Sequence, residues 1–233
     1  MLKKECLVSI KLAIFDFDGT IADTRKAIVA AKQKTMRQMG LEVADERTCA
    51  STIGFSAKTG FEMIYPQLEE QKIDECVTIY RQEFEQIRKL MPPEIFPDVK
   101  DVLERLNQTQ VVTTIASSRN TPSLKGFLDD MGIAEYFPYI LGGNDTGKLK
   151  PDPEPVLKTL EELGYNACEA LVIGDMPMDV AMGKNAGTHT CGVTYGNASR
   201  QQLEDAGAGY IIDSMRELIE VIDRIQSEDW KDI

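Results

Sequence analysis

Two carboxylates near the start of the chain are the first residues whose types and spacing could do chemistry. Asp16 and Asp18 stand one residue apart at the end of an apolar run at 12–15, and Gly19 and Thr20 follow them. Such a run is typical of a buried parallel strand, and open α/β sheets bind their ligands beyond the carboxyl ends of such strands. Two like charges this close need a cation or a shared proton. A turn that caps the following helix is the alternative interpretation of this stretch alone.

A second apolar run ends in carboxylates in the same way. Residues 171–173 lead to Asp175, and Asp179 follows one turn into a predicted helix. A helix cap accounts for one of these two residues at most. If this strand lies beside the strand that leads to Asp16, the carboxylates face one another. They then form a set of oxygen donors that suits a hard divalent cation, for which Mg²⁺ is the natural candidate.

Hydroxyl groups and basic side chains follow other strands. The strand at 111–116 leads into Ser117, Ser118 and Arg119, whose hydroxyls, guanidinium and backbone amides suit a phosphoryl oxygen. The same serines, placed before Asn-Thr-Pro, also make a good helix cap. Further along, Lys150 opens a Lys-Pro-Asp-Pro-Glu-Pro segment. These groups are candidates for a local anion site in a chain that is acidic overall.

The glycine-rich stretch at 142–148 matches most of a phosphate-binding P-loop but does not complete it. Its pattern is Gly-x4-Gly-Lys, yet Leu149 stands where the loop needs Ser or Thr for magnesium. The prolines within 150–155 also block the helix that should begin at once and bind the phosphate at its N-terminus. We therefore do not expect a nucleotide kinase.

Strand and helix patterns alternate along the chain from residue 98 onwards. Strands are predicted at 111–116, 139–141, 170–173, 189–193 and 210–212. Helices are predicted at 98–106, 122–131, 155–163, 199–206 and 214–225, with one more that ends near 186. Alternation of this kind indicates right-handed crossovers and a parallel sheet covered on both faces, which is the α/β class.

The segment at 25–90 has a different, purely helical character. Apolar residues recur at helical spacing up to Gly40, and further helices are predicted at 56–65 and 74–90. Roughly 65 residues of helix are far more than a connection between two strands needs. We predict a small all-helical cap at 24–94, inserted into a core domain formed by 1–23 and 95–233.

The composition excludes several classes of protein. A net charge of −12 without a basic cluster argues against a nucleic-acid partner, and no apolar run is long enough to span a membrane. The first residues lack the features of a signal peptide, and the five cysteines are scattered, so we expect a cytoplasmic protein with reduced thiols. The one histidine, His189, excludes two-histidine phosphatases. The one tryptophan, Trp230, is predicted to be an anchor or part of a frayed tail.

Together, these stretches resemble the four motifs of the haloacid dehalogenase-like (HAD) hydrolase superfamily. The first is Asp-x-Asp-x-Thr at 16–20, the second ends in Ser117, the third begins at Lys150, and the fourth is Gly-Asp-x-x-x-Asp at 174–179. Lys148 is a competing candidate for the third, but the helix that follows keeps the familiar spacing only from Lys150. Glycine-rich segments near 192–196 and 206–212 are similar to those of the phosphoglycolate phosphatase branch. The resemblance implies a Rossmann-like sheet with the Asp16 strand at its centre.

The resemblance also implies roles for particular residues. Asp16 is implied as the nucleophile that forms an aspartyl-phosphate, and Asp18 as the general acid and base. The implied Mg²⁺ ligands are Asp16, the Asp18 carbonyl, Asp175 and Asp179, the last in or just behind the metal shell. The implied phosphate-binding residues are Thr20, Ser117, Ser118, Arg119 and Lys150. Arg119 departs from the lysine common at this place.

The function we expect is that of a Mg²⁺-dependent phosphatase of a small phosphorylated metabolite, with phosphoglycolate first among the candidates. Alternatives are an inorganic pyrophosphatase, a sugar-phosphate phosphatase and a non-catalytic phosphate-binding regulator. A phosphoglucomutase is less expected because the helix after Asp18 lacks histidine, and a dehalogenase because those enzymes lack the equivalent of Asp18. The turn at 52–58, with Gly54 and Lys58, is predicted to discriminate between leaving groups. We expect a monomer or homodimer without membrane or nucleic-acid partners.

Overall fold

A six-stranded parallel sheet organises the part of the chain that the computed structural model describes, residues 9–227. Its strands lie in the order β5-β4-β1-β6-β7-β8. They are β1 (Leu12–Phe15), β4 (Val112–Ala116), β5 (Tyr139–Leu141), β6 (Ala170–Gly174), β7 (His189–Val193) and β8 (Tyr210–Ile212). The predicted α/β class is therefore confirmed, and three predicted strands, β5, β7 and β8, have the bounds expected from the sequence.

The strand β1 lies inside the sheet because its four residues are apolar and wholly buried. It pairs in parallel with β4 on one side and with β6 on the other, and Phe15 is in register with Ile115 and Ile173. Three parallel strands thus end at the same level. The polar residues that follow them, among them Asp16, Ser117 and Asp175, are brought to one edge of the sheet.

Helices cover both faces of the sheet. They are α5 (Val99–Gln108), α6 (Thr121–Asp130), α7 (Glu154–Leu163), α8 (Pro177–Asn185), α9 (Arg200–Asp205) and α10 (Leu218–Ser227). Alternate residues of β1 point to opposite faces. Ala13 and Phe15 belong to the core shared with α5, α6 and α10, while Leu12 and Ile14 belong to the core shared with α7 and α8.

A helical segment is inserted after β1, between two short antiparallel strands. β2 (Ala22–Asp23) pairs with β3 (Glu94–Ile95), so that the chain leaves the sheet and returns to it at neighbouring points. Between them lie α1 (Arg25–Gln38), α2 (Glu46–Ala50), α3 (Ala57–Ile64) and α4 (Glu70–Leu90), which we call the inserted helices. The long helices α1 and α4 pack against each other and α3 packs on α4.

Local details of the prediction needed correction. The short helix α2 was not predicted, because five residues are too few for an apolar period; Asp45 starts it by accepting a hydrogen bond from the Thr48 backbone N–H. Helix α4 begins at Glu70 rather than near 74, since its first turn is polar.

No helix begins within 142–153, consistent with the incomplete P-loop. Trp230 lies outside the described residues. Among residues 9–227, no helix is both long and apolar enough to cross a membrane.

Candidate active site

Three buried carboxylates meet at the carboxyl edge of the sheet. Asp16 follows β1, Asp175 follows β6, and Asp179 lies in the first turn of α8. Each offers a carboxylate oxygen within 4.8 Å of the oxygens offered by the other two. The backbone supports this meeting, because the Asp16 N–H donates a hydrogen bond to the Ile173 carbonyl of β6 at 2.8 Å.

Lys150 is the cation that faces this cluster. Its Nζ lies 2.5 Å from Asp16 Oδ1 and 2.7 Å from Asp179 Oδ1, and its side chain is buried. Lys148, the competing candidate, is exposed and pairs with Asp152 at 3.2 Å. The structure therefore brings Lys150, and not Lys148, to the carboxylates.

Asp18 has a different partner. Nη2 of Arg119 donates to Asp18 Oδ1 at 2.6 Å, and Nε donates to Oδ2 at 3.1 Å. Both side chains are nearly buried, and the guanidinium lies over the rings of Phe84 and Phe127 at 4.7 and 4.9 Å from their centroids. Because Phe84 belongs to α4, Arg119 links the sheet edge to the inserted helices.

The serines that precede α6 are not its cap. Asn120 caps the helix, since its side chain accepts a hydrogen bond from the Ser123 backbone N–H at 2.9 Å. The Ser117 hydroxyl accepts from the Arg119 N–H at 3.2 Å, and Ser117 is buried. Both Ser117 and Ser118 line the same cavity as the proposed nucleophile, Asp16.

A cavity of about 610 Å³ lies between this sheet edge and the inserted helices. The core contributes the two motif aspartates and the 117–119 segment, while the inserted helices contribute the turn at 52–58 and side chains of α1 and α4. Thr20 and Lys150 do not line it. Thr20 is fully buried, with its hydroxyl 3.5 Å from Asp175 Oδ1. The cavity can hold a ligand whose reacting group touches the carboxylates while the remainder contacts the helices.

Comparison with known proteins identifies the family. The family model described as haloacid dehalogenase-like hydrolase matches residues 13–193, which include every carboxylate of this site. The chain belongs to the haloacid dehalogenase-like hydrolase family. The resemblance recognised from the four motifs is thereby confirmed.

Relatives of this hydrolase carry phosphatase names. A phosphoglycolate phosphatase of Aquifex aeolicus is 32% identical over 80% of this chain and 86% of its own length. A Clostridium perfringens protein with a pyrophosphatase name, PpaX, is 31% identical over 94% of this chain and all of its own. A crystal structure from Clostridium acetobutylicum, titled as a predicted phosphatase, has a TM-score of 0.85 at 26% identity and covers 93% of this chain and 99% of that one.

The electrostatics of the hydrolase site fit a divalent cation. Burial raises the pKa of Asp16 well above its ordinary value, against the opposing effect of Lys150. Burial and the neighbouring Asp179 raise the pKa of Asp175 to about 7. Burial alone would lower the pKa of Lys150, but Asp16 and Asp179 raise it by more. Lys150 pairs with two of the three carboxylates, and the raised pKa values of Asp16 and Asp175 reflect how unfavourable their buried negative charges are without a further cation.

A carboxylate oxygen without a hydrogen-bond partner also favours a cation at this site. Asp16 Oδ2 is buried and has no hydrogen-bond partner among the residues that the structure describes. Buried charged oxygens are ordinarily hydrogen-bonded or bound to a metal. The donor set consists of carboxylate oxygens, which hard cations such as Mg²⁺ prefer. The residues present therefore fit such an ion.

Asn197 is a residue of this site that the sequence reasoning missed. Its backbone N–H and its side-chain Nδ2 donate to Asp175 Oδ2 at 2.7 and 2.8 Å, and they orient that carboxylate. The approach is close, because a Cβ on Gly19 would lie 2.2 Å from Asp175 Oδ2 and a Cβ on Gly196 would lie 2.3 Å from Asp175 Cβ. Asn197 follows β7, the neighbour of β6, so the rule that polar residues follow parallel strands could have found it.

Proposed function

We propose that this hydrolase is a Mg²⁺-dependent phosphatase that hydrolyses the phosphate monoester of a small metabolite, phosphoglycolate or a compound like it. The observation that carries the proposal is the buried Asp16, which lines the cavity, pairs with Lys150 through one oxygen and has no hydrogen-bond partner for the other. The names of the relatives, a phosphoglycolate phosphatase and a pyrophosphatase, support small phosphate compounds as the substrate class. A cytoplasmic location and a monomeric or homodimeric state belong to the same proposal.

Asp16 acts as the nucleophile in this proposal. One oxygen of its carboxylate attacks phosphorus, the phosphorus–oxygen ester bond breaks, and an aspartyl-phosphate forms. Lys150, together with a bound metal ion, would favour the ionised form of Asp16 and offset charge on the phosphoryl group. Ser117 and Ser118, which follow the neighbouring strand β4, donate hydrogen bonds to phosphoryl oxygens. Thr20, whose hydroxyl lies 3.5 Å from Asp175 Oδ1, is assigned to the same phosphate-binding set.

Asp18 moves the protons. It donates one to the ester oxygen as the leaving group departs, and then takes one from the water that attacks the aspartyl-phosphate. Arg119 binds both oxygens of Asp18 in this structure. We assign Arg119 to hold Asp18 beside the cavity and to contact the phosphoryl group when substrate enters.

The metal belongs to the carboxylate cluster. Asp16, the backbone carbonyl of Asp18, Asp175 and Asp179 would hold Mg²⁺, which supplies positive charge that stabilises the phosphoryl oxygens. Asp179 also accepts a hydrogen bond from the Met176 N–H at 3.0 Å and pairs with Lys150. Because of those contacts, we also expect Asp179 to position Lys150 beside the metal site.

The chain is divided, in the same proposal, into a core of residues 1–23 and 95–233 and a cap of residues 24–94. The pairing of β2 with β3 supports this division, because the inserted helices join the core through that short ribbon. The cap covers the cavity, excludes water from the reacting groups and contacts the leaving group.

A turnover assay tests the proposal. We expect the protein to release phosphate from p-nitrophenyl phosphate with Mg²⁺ and to lose that activity in excess EDTA. A panel of phosphoglycolate, inorganic pyrophosphate and sugar phosphates then ranks the substrates by kcat/KM. The relative named as a pyrophosphatase, which this chain matches over its full length, makes pyrophosphate the second candidate. Absence of turnover with every ester would instead indicate a phosphate-binding regulator, and full activity in EDTA would contradict the metal assignment.

A further inference from the structure

Lys32 is a buried ammonium group in the wall of the cavity. It lies on α1, is 3% exposed, and lines the cavity on the side of the inserted helices. Its Nζ donates a hydrogen bond to the Cys49 carbonyl at 3.2 Å and another to the Thr52 hydroxyl. Within residues 9–227, no carboxylate oxygen is paired with it in an ion pair.

The other basic side chains that line the cavity are in a different situation. Arg119, Arg88 and Lys58 each form an ion pair with at least one carboxylate, and Arg81 is exposed to solvent. Lys32 alone among these five is both buried and without an acidic partner in the described chain. It is therefore the cation of the cavity wall whose charge is least compensated.

A buried cation without a counter-ion is unfavourable, and an arriving anion would relieve it. Burial lowers the pKa of Lys32 to about 8, while the charge of Asp18 acts in the opposite direction. The ammonium is therefore still largely protonated at neutral pH. An ammonium has three N–H donors, and two of those of Lys32 have acceptors among the described residues. The third is available to a ligand in the cavity.

The surroundings strengthen such a contact. Apolar and aromatic side chains of α1 and α4, namely Ile28, Val77, Tyr80 and Phe84, line the cavity with Lys32. Attraction between opposite charges is larger beside apolar side chains than in water. The carboxylates Asp16 and Asp18 line the same cavity on the core side, so a ligand that contacts both sides presents its phosphoryl group to the core and its remaining groups to α1.

We propose that Lys32 binds an anionic group on the leaving group, and so selects phosphate compounds that carry a second negative charge. The anion is the carboxylate of a hydroxy acid or a second phosphoryl group. This inference rests on the proposed phosphatase activity and adds to it the residue that determines specificity.

Matched substrates test the inference in the whole protein with Mg²⁺. Phosphoglycolate and pyrophosphate carry a second anionic group, ethyl phosphate carries none, and phosphoethanolamine carries a positive charge instead. Wild-type kcat/KM should be at least tenfold higher for one of the first two than for ethyl phosphate. Lys32→Met should lower that value by roughly 10- to 100-fold, the range for a hydrogen bond between charged groups, and change the ethyl phosphate value less than threefold. The larger loss, with phosphoglycolate or with pyrophosphate, identifies the anion.

Two further variants separate specificity from structure. Lys26→Met, an exposed position on the same helix, should leave all four values unchanged. Lys32→Gln, which keeps a donor for Thr52 and Cys49, should lose the preference for anionic leaving groups while retaining the fold by circular dichroism. A loss shared equally by all four compounds would show a structural role and overturn the inference.

The wild-type measurements separate the two proposals. Wild-type activity without preference for a second anionic group overturns the role of Lys32 and leaves the phosphatase proposal standing. A wild type that hydrolyses none of the four compounds or p-nitrophenyl phosphate overturns both.

Discussion

The two sides of the cavity are built in different ways. On the core side, the charged groups form ion pairs with one another. Lys150 pairs with both Asp16 and Asp179, and Arg119 pairs with Asp18. On the helical side, the wall combines apolar with polar side chains, and its buried charge, Lys32, has no acidic partner in the described part of the chain. In the proposed function, the reaction chemistry belongs to residues at strand ends, whereas recognition of the leaving group belongs to residues on helix faces.

The two sides of the cavity also differ in the interactions that fix their positions. The core side is set by backbone hydrogen bonds between β1 and its neighbours, which fix the spacing of the carboxylates. The helical side joins the core through aromatic packing. The ring of Phe84 on α4 lies 5.9 Å from that of Phe127 on α6, which in turn lies 5.6 Å from Phe17. The helical wall and one face of the sheet therefore share a hydrophobic core.

The largest expected effect would separate the two aspartates of the core side. Asp16→Asn removes the proposed nucleophile, so kcat should fall by about 10⁴-fold or more and no phosphoenzyme should form. Asp18→Asn keeps the nucleophile but can no longer donate or take the proton, so kcat should fall by roughly 10²–10⁴-fold. With p-nitrophenyl phosphate, whose leaving group needs little protonation, hydrolysis of the intermediate should suffer most, and phosphate should accumulate on Asp16.

Acid quenching followed by peptide mass spectrometry locates that phosphate. The Asp18→Asn protein should carry it on the peptide that contains Asp16, and the double variant Asp16→Asn with Asp18→Asn is the matched control without it. Phosphate on Ser117, or substantial turnover by Asp16→Asn, would contradict the assignment of the nucleophile and favour direct attack by water.

An intermediate effect is expected where the core side supports its carboxylates. Asn197→Ala removes the Nδ2 donor to Asp175 Oδ2 and keeps the backbone N–H donor, so activity or Mg²⁺ affinity should fall by about 10-fold, the lower end of the range for partners that orient metal ligands. Asp175→Ala should lose nearly all Mg²⁺-dependent turnover. Titration of activity with Mg²⁺ measures both, and the exposed Asn107→Ala is the control. An unchanged Mg²⁺ titration for Asn197→Ala would show that Asp175 is oriented without it.

The smallest effects are expected at the rim of the helical side. Lys58 is partly exposed and already paired with Glu70 and Asp74, so Lys58→Met should change kcat/KM less than about fivefold. Gly54 has a φ of +92°, and a Cβ there would lie 3.3 Å from Met176 Cγ, so Gly54→Ala should shift the turn. We expect it to alter the ratios of kcat/KM across the ester panel by a few fold. Ratios unchanged in both variants would remove this turn from leaving-group selection.

Much of the core could be predicted because its signals are local. Apolar runs of four or five residues indicated the buried strands, and the polar residues at their ends indicated where a site would lie. The parallel direction of the strands then followed from the alternation with helices, whereas their order in the sheet did not. For the same reason the sequence pointed to Asp16, Asp175, Asp179 and Lys150, which the structure brings together.

Other features were decided only by the tertiary structure. Arg119 binds Asp18 across 101 positions of sequence, and Lys150 binds Asp16 across 134. The residues around Arg119 or Lys150 in the sequence do not indicate which carboxylate each one binds. Asn197 and Lys32 belong to no motif, and each is placed at the cavity by the packing of its own element. Sequence by itself determined the strands and the types of chemical group at their ends, because backbone conformation and burial leave periodic patterns. Which charges would meet, and which would remain without a partner, depended on distances between elements that only the packed fold sets.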